Sequence, residues 1–185
     1  MLAAPFKVVL DANVLYPFTL RDTLLRAADA GLFQLYWSDE ILDEALRNLV
    51  GDGIVTVQQS DRLRKAMTSA FPESLVTDYE SLVAGMKNDE KDRHVAAAAV
   101  KAGAQVVVTI NTADFQDLPA GIEAQHPDEF LCNLFDLDPD LLTAIVQKQA
   151  GDLKRPPRTF EDIVRALAKM VPDFAECVRM RSADL

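Results

Sequence analysis

Cysteine and histidine are scarce in this chain of 185 residues, which has two of each. Cys132 and Cys177 stand alone without metal-ligand spacing, and His94 and His126 lie far apart. Neither a zinc site nor a disulfide scaffold fits that pattern; the expectation is two buried thiols in a reducing compartment. No apolar run approaches the roughly 20 residues of a membrane span. The opening stretch MLAAPFKVVLDANVL lacks a basic segment followed by a long apolar one, so it does not read as a signal peptide. Internal repeats and low-complexity tracts are missing too. Basic residues are outnumbered, 19 against 29 acidic ones, for a net charge of −10. Taken alone, that balance opposes a general nucleic-acid binder, because phosphate contacts need Lys and Arg.

What is present is an ordinary globular composition, with 49% hydrophobic and 26% charged residues. The length suits one compact domain with a modest appendage. The charge is uneven. Residues 1–136 carry 11 basic and 21 acidic side chains, whereas residues 137–185 carry 8 of each. An acidic excess keeps a protein soluble. It can also mark carboxylates gathered around a cation.

The pattern along the chain alternates strands and helices. Phe6–Leu10 (FKVVL) reads as a buried parallel strand ending at Asp11. A helix is expected over Arg21–Ala30, a strand over Gln34–Trp37, and a helix from a Ser38 cap to Leu49. Ser60 is the expected cap of a helix over Asp61–Phe71, and a short helix is expected over Tyr79–Met86. The alanine-rich stretch 89–102 reads as one helix stopped by Gly103. Gln105–Ile110 (QVVVTI) is the clearest strand, Ile122–Gln125 a weaker one, and Pro127 opens a helix. This order predicts an α/β layered fold with a mostly parallel sheet. After Asp136 the pattern becomes helical: a helix capped by Asp138, a KRPPR linker at Lys154–Arg158, a helix capped by Thr159 with Asp162 completing a capping box, and a last helix after Pro172. The expected division is a domain of residues 1–136 and a helical extension of residues 137–185.

Ligands of open parallel sheets gather at the carboxyl ends of strands. Asp11 follows the first strand directly, and Asp114 follows QVVVTI by four residues. Glu44 lies about 60° around its helix from the apolar Ile41, bordering the core. Asp92 lies near the start of the alanine-rich helix. Each has a plain alternative: a turn residue, a loop cap, a solvated helix position, or an acid offsetting a helix dipole. Four carboxylates at one sheet edge would raise one another's pKa unless a cation relieves them. All-oxygen ligation suits Mg²⁺ or Mn²⁺ rather than zinc.

The blocks VVLDANVLYP, SDEILDEALRNL and NDEKDRHVAAAAVKAGAQVVVTINTADF resemble the PIN-domain nucleases, over about residues 6–130. KDRHVAAAAVKAGA followed by VVTIN and ADF is similar to the VapC-like toxin branch, and the tail resembles a C-terminal extension of a VapC-like subgroup. The resemblance implies a three-layer α/β/α fold with a small C-terminal all-helical extension. It implies an acidic quartet of Asp11, Glu44, Asp92 and Asp114, with Glu40 the nearest competitor of Glu44. Asn13, Thr109 and Asn111 match the polar positions that orient those carboxylates. Asn111 stands where many members carry Asp, leaving one charge fewer in the pocket.

The implied activity is Mg²⁺- or Mn²⁺-dependent endoribonuclease action with one or two ions, in a cytoplasmic toxin neutralised by a cognate antitoxin protein. Lys87, Lys91 and Arg93 are candidate phosphate contacts, the KRPPR linker is a candidate RNA contact, and a homodimer is the family habit. Two other readings stand beside it. A haloacid-dehalogenase-like phosphatase would need an acid where Asn13 stands. A catalytically silent PIN-like binding protein would bind no Mn²⁺.

Overall fold

A computed structural model describes residues 6–184. The chain forms two compact units. One comprises the described residues up to Tyr16 together with Phe33–Gln125; the other comprises Pro17–Leu32 together with the described residues from His126 onward. The expected break at residue 136 therefore falls inside the second unit, near the end of a helix.

The elements in chain order are β1 (Lys7–Leu10), α1 (Ala12–Leu15), α2 (Phe18–Asp29), β2 (Gln34–Ser38), α3 (Asp39–Gly51), α4 (Val57–Ala70), β3 (Leu75–Val76), α5 (Glu80–Val83), α6 (Arg93–Ala102), β4 (Val106–Val108), β5 (Glu123–Gln125), α7 (Pro127–Leu137), α8 (Pro139–Asp152), α9 (Phe160–Leu167) and α10 (Pro172–Ala183). All five strands lie in one sheet of order β3-β2-β1-β4-β5, and every pairing is parallel. The expected α/β architecture is therefore the observed one. The two-residue β3 had no apolar run long enough to announce it in the sequence.

In the first unit, Val8, Val9, Leu10, Val107 and Val108 are fully buried, as the continuous apolar strands require. Helix α6 packs against β1, β2 and β4. Its buried run Val95–Ala99 explains the close fit, since four alanines keep side chains out of the way of the sheet. Gly103 ends α6 in the left-handed conformation (φ +66°), which glycine adopts without a Cβ clash. Ser38 caps α3 as expected, its Oγ accepting from Ile41 N at 3.2 Å. Two local readings need correction. Helix α4 starts earlier, capped by a reciprocal box between Thr56 and Gln59, and Ser60 lies inside it. The stretch 89–102 is not one α-helix: a 3-10 turn over Glu90–Asp92 precedes α6, so Asp92 sits at the cap position.

The second unit is helical. Helix α2 packs on α8 and α9, α7 packs on α8 and α10, and α10 also packs on α8 and α9. Thus α2 and α7, which the sequence pattern assigned to the α/β part, belong with the tail. The buried face of α2 (Leu20, Thr23, Leu24, Ala27) accounts for this, since Thr23 reaches Gln149 of α8 at 2.9 Å. The capping box of Thr159 and Asp162 is present. Both cysteines are free, but they are half-buried rather than fully buried. Burial pushes the Cys132 thiol up to about 12, so it stays protonated. Among the described residues no helix is long and apolar enough to cross a membrane.

Candidate active site

The strand order reverses direction between β1 and β4, and in open parallel sheets that is where a crevice opens at the carboxyl ends. Asp11 stands there, directly after β1. Its backbone N–H donates to Val108 O at the end of β4 (3.1 Å), which locks the two strand ends together.

Three donors hold the Asp11 carboxylate. Ala12 N donates to Oδ1 at 2.7 Å. The Asn13 amide and the Thr109 hydroxyl both donate to Oδ2 at 2.7 Å. Ile110 N in turn donates to Asn13 Oδ1 at 3.0 Å and so fixes the orientation of that amide. Thr109 Oγ also accepts from Asn13 Nδ2 (2.9 Å) and from Asn111 N (3.1 Å). Asn13 and Thr109 thus orient Asp11 through side chains, while Asn111 joins the network through its backbone. Asn13, engaged through its amide, stands two residues after Asp11 where a phosphatase of the dehalogenase type needs an acid.

Asp11 is only 4% exposed. Burial lifts its pKa to about 6; the hydrogen bonds from Thr109 and Ala12 oppose that, and the charges of Asp92 and Glu44 add to it. Asp92 is raised in the same direction, first by burial, with Asp114, Asp89 and Glu44 contributing and Lys91 opposing. Its Oδ2 is buried without a hydrogen-bond partner. The nearest cation, Lys91 Nζ, is 4.0 Å away, beyond hydrogen-bond reach, and pairs instead with Asp114 Oδ2 at 3.0 Å.

Asp11, Glu44 and Asp92 line one cavity of about 750 Å³, together with Asn13 and Asn111. Asp114 does not line it and adjoins through Lys91. Of the basic candidates only Lys91 reaches the cavity; Arg93 Nε donates to Asn88 O at 3.2 Å. Three wall residues escaped sequence reading: His94, Tyr79 and Arg47. His94 lies 3.6 Å from Glu44 Oε2 through Nε2 and 3.8 Å from Glu40 Oε2 through Nδ1. Tyr79 O–H donates to Glu40 Oε2 at 3.2 Å. The available signal for His94 was its place two residues after Asp92, and its rarity led only to the zinc argument. Asp39 and Asp43 also line the cavity and share Arg64 at 2.5 Å each.

Among the described residues no three His, Cys, Asp or Glu side chains form a ready cage for a metal ion. The donor set nevertheless fits a hard cation. Mg²⁺ typically takes one or two protein carboxylates, keeps several waters, and completes its shell with substrate phosphate. Asp92 Oδ2, buried and without a donor, and the desolvated Asp11 carboxylate are the two groups that would hold it.

Residues 7–113 match the family model described as PIN domain. The chain belongs to the PIN-domain family. Residues 127–180 match a second model, VapC50 C-terminal domain, which begins one residue into the second segment of the helical unit. The chain is also 40% identical over 121 residues to a curated protein of Mycobacterium tuberculosis named "Putative ribonuclease VapC50", covering 62% of this chain and 71% of that protein. No solved structure matches. The parallel sheet with its flanking helices is thus the α/β/α fold of the PIN family, and PIN-domain nucleases generally use divalent metal ions.

Proposed function

We propose that this chain is a divalent-cation-dependent endoribonuclease of the VapC-like toxin type. The observation that carries the reading is the pair of buried carboxylates. Asp92 Oδ2 has no donor, Asp11 is held near 6, and both face the crevice where β1 and β4 part. Buried polar atoms are as a rule hydrogen-bonded, so an orphaned carboxylate oxygen on a cavity wall calls for a ligand.

In this reading Asp11 and Asp92 hold one or two Mg²⁺ or Mn²⁺ ions. Glu44 and Asp114 bind directly, bind through water, or orient the attacking water. Asn13 and Thr109 keep the Asp11 carboxylate in one rotamer, and Asn111 anchors Thr109. When bound, the cation supplies acidified water and charge neutralisation at the phosphodiester. The protein's share is to place its carboxylates and to bring Lys91 beside Asp114 and Asp92. As VapC-like proteins act in pairs, the partners are an RNA substrate and a cognate antitoxin chain that covers the pocket; the toxin works in the cytoplasm, and a homodimer follows the family habit.

The test is cleavage of RNA by the wild type and by Asp11→Asn and Asp92→Asn, with Mg²⁺ or Mn²⁺ and with chelator. Loss of cleavage in both variants and in chelator is expected. Full activity in both variants overturns the assignment.

A further inference from the structure

The helical unit has a cavity of its own, about 410 Å³ in volume. Its walls combine two kinds of group. Leu153 and Ile163 give apolar contact, and Phe18 stands 52% exposed beside them. Arg155, Arg158 and Lys169 supply positive charge. Among the described residues, none of these three side chains is engaged in a hydrogen bond or a touching ion pair. The one acid on the wall, Asp162, is held by Thr159, which donates to it from N (3.0 Å) and Oγ (2.9 Å), and pairs with Arg165 at 3.3 Å; the Arg158 charge also acts on it, without a touching contact.

The local charge runs against that of the chain. Residues 153–169 hold Lys154, Arg155, Arg158, Arg165 and Lys169 against Glu161 and Asp162, in a protein of net charge −10. The basic residues are also presented by stiff backbone. Lys154–Pro157 is a tight turn closed by an antiparallel bridge, and its two prolines fix φ, so little chain entropy is lost on binding. The Arg21 guanidinium lies 5.7 Å from the Phe18 ring centroid and steadies that ring.

Unpaired cations beside an exposed aromatic ring form the arrangement that binds single-stranded nucleic acid: the cations follow the phosphates and the ring stacks on a base. A wholly apolar groove would suit a helix, and a wholly basic one any polyanion; the mixture favours RNA. We infer that this cavity seats a single-stranded segment of RNA, with phosphates on Arg155, Arg158 and Lys169 and a base against Phe18. The inference rests on the ribonuclease reading for the choice of polyanion. It also gives a use to the KRPPR turn and supplies the attraction that the acidic crevice cannot.

The experiment uses the full chain in chelator, where cleavage stops, and a fluorescent pyrimidine-rich RNA followed by anisotropy across a salt series. The double variant Arg155→Ala with Arg158→Ala is expected to bind at least about fivefold more weakly. Its salt slope should be smaller by about 1.4, for two phosphate contacts to a single strand. Phe18→Ala should also lose at least about fivefold, and Phe18→Trp should restore binding. All these side chains are exposed, so melting temperatures should match the wild type. Unchanged affinity and slope, no RNA binding by the wild type, or equal affinity for a glutamate-rich peptide of the same charge overturns the inference. With divalent cation present, the same variants should raise KM and leave kcat unchanged. Normal cleavage with unchanged KM breaks this inference alone, whereas binding through this cavity by a wild-type chain that cleaves no RNA breaks the ribonuclease reading alone.

Discussion

In the helical unit, the buried Thr23 hydroxyl lies 2.9 Å from both Thr19 O and Gln149 Oε1, and Gln149 Nε2 donates to Thr19 O at 3.1 Å. Buried Thr143 likewise donates to Pro139 O at 2.8 Å. The sheet unit differs. Among the described residues, the buried polar side-chain atoms without a partner all lie there: Trp37 Nε1, Asn88 Nδ2 and Oδ1, Asp92 Oδ2 and His94 Nδ1. Four of those five fall within residues 88–94, at the crevice end of α6. An unsatisfied buried group costs about 1–3 kcal/mol. One unit spends its buried polarity on holding itself together, and the other leaves polar atoms of Asp92 and His94 unmet on a cavity wall where a ligand can meet them.

The sharpest way to break that comparison is at Asp92. Asp92→Asn should lower RNA cleavage on the order of a thousandfold. It should not lower the stability of the metal-free chain, because an amide relieves a desolvated charge. A variant that unfolds in a melting experiment would return Asp92 to a structural role.

Next in size is the pH response of the metal-free protein. The folded chain holds the Asp11 proton to about 6 against an ordinary 3.8, so the native state binds more protons across that window. Stability is therefore favoured below the ordinary value and falls as pH rises through about 6. The loss from this group is about 3 kcal/mol, and Asp92 acts in the same direction. Urea titrations at a series of pH values with chelator should show the decline, and Mn²⁺ should flatten it. An identical profile with and without Mn²⁺ removes the cation from the account.

A smaller effect tests the other unit. Gln149→Ala removes one of the two acceptors of buried Thr23 and the side-chain donor to Thr19 O, and should cost about 2 kcal/mol, with RNA cleavage at the wild-type rate below the transition. The smallest effect is expected at Thr159→Ala, which removes the α9 cap for about 1 kcal/mol. A change of kcat in either variant would show that the helical unit takes part in the chemistry.

The parallel strands were legible because β1 and β4 are continuous apolar runs with no polar face to confuse the period. The caps at Ser38, Asp138 and Thr159 were legible because a capping side chain acts within three residues. Thr56 was missed in favour of Ser60, although Gln59 three residues on completes the box. Of the acids, Asp11 was the most readable, since a carboxylate directly after a buried strand has few other uses. That Glu44 and Asp92 share a cavity with it, while Asp114 stands behind Lys91, depends on how α3, α6 and the turn after β4 approach the sheet.

By itself the sequence determined the element types, the strand-end positions of the acids and the helical nature of the tail, because each follows from residues near one another in the chain. Only the tertiary structure decided that α2 leaves the α/β pattern to join the tail, through a pairing of Thr23 with Gln149 that spans 126 residues. It alone decided that Asp92 Oδ2 is left without a donor, and that Phe18 shares a cavity with Arg155 and Lys169. Burial and electrostatic interaction depend on distance in space, and for residues far apart in sequence that distance is set by packing.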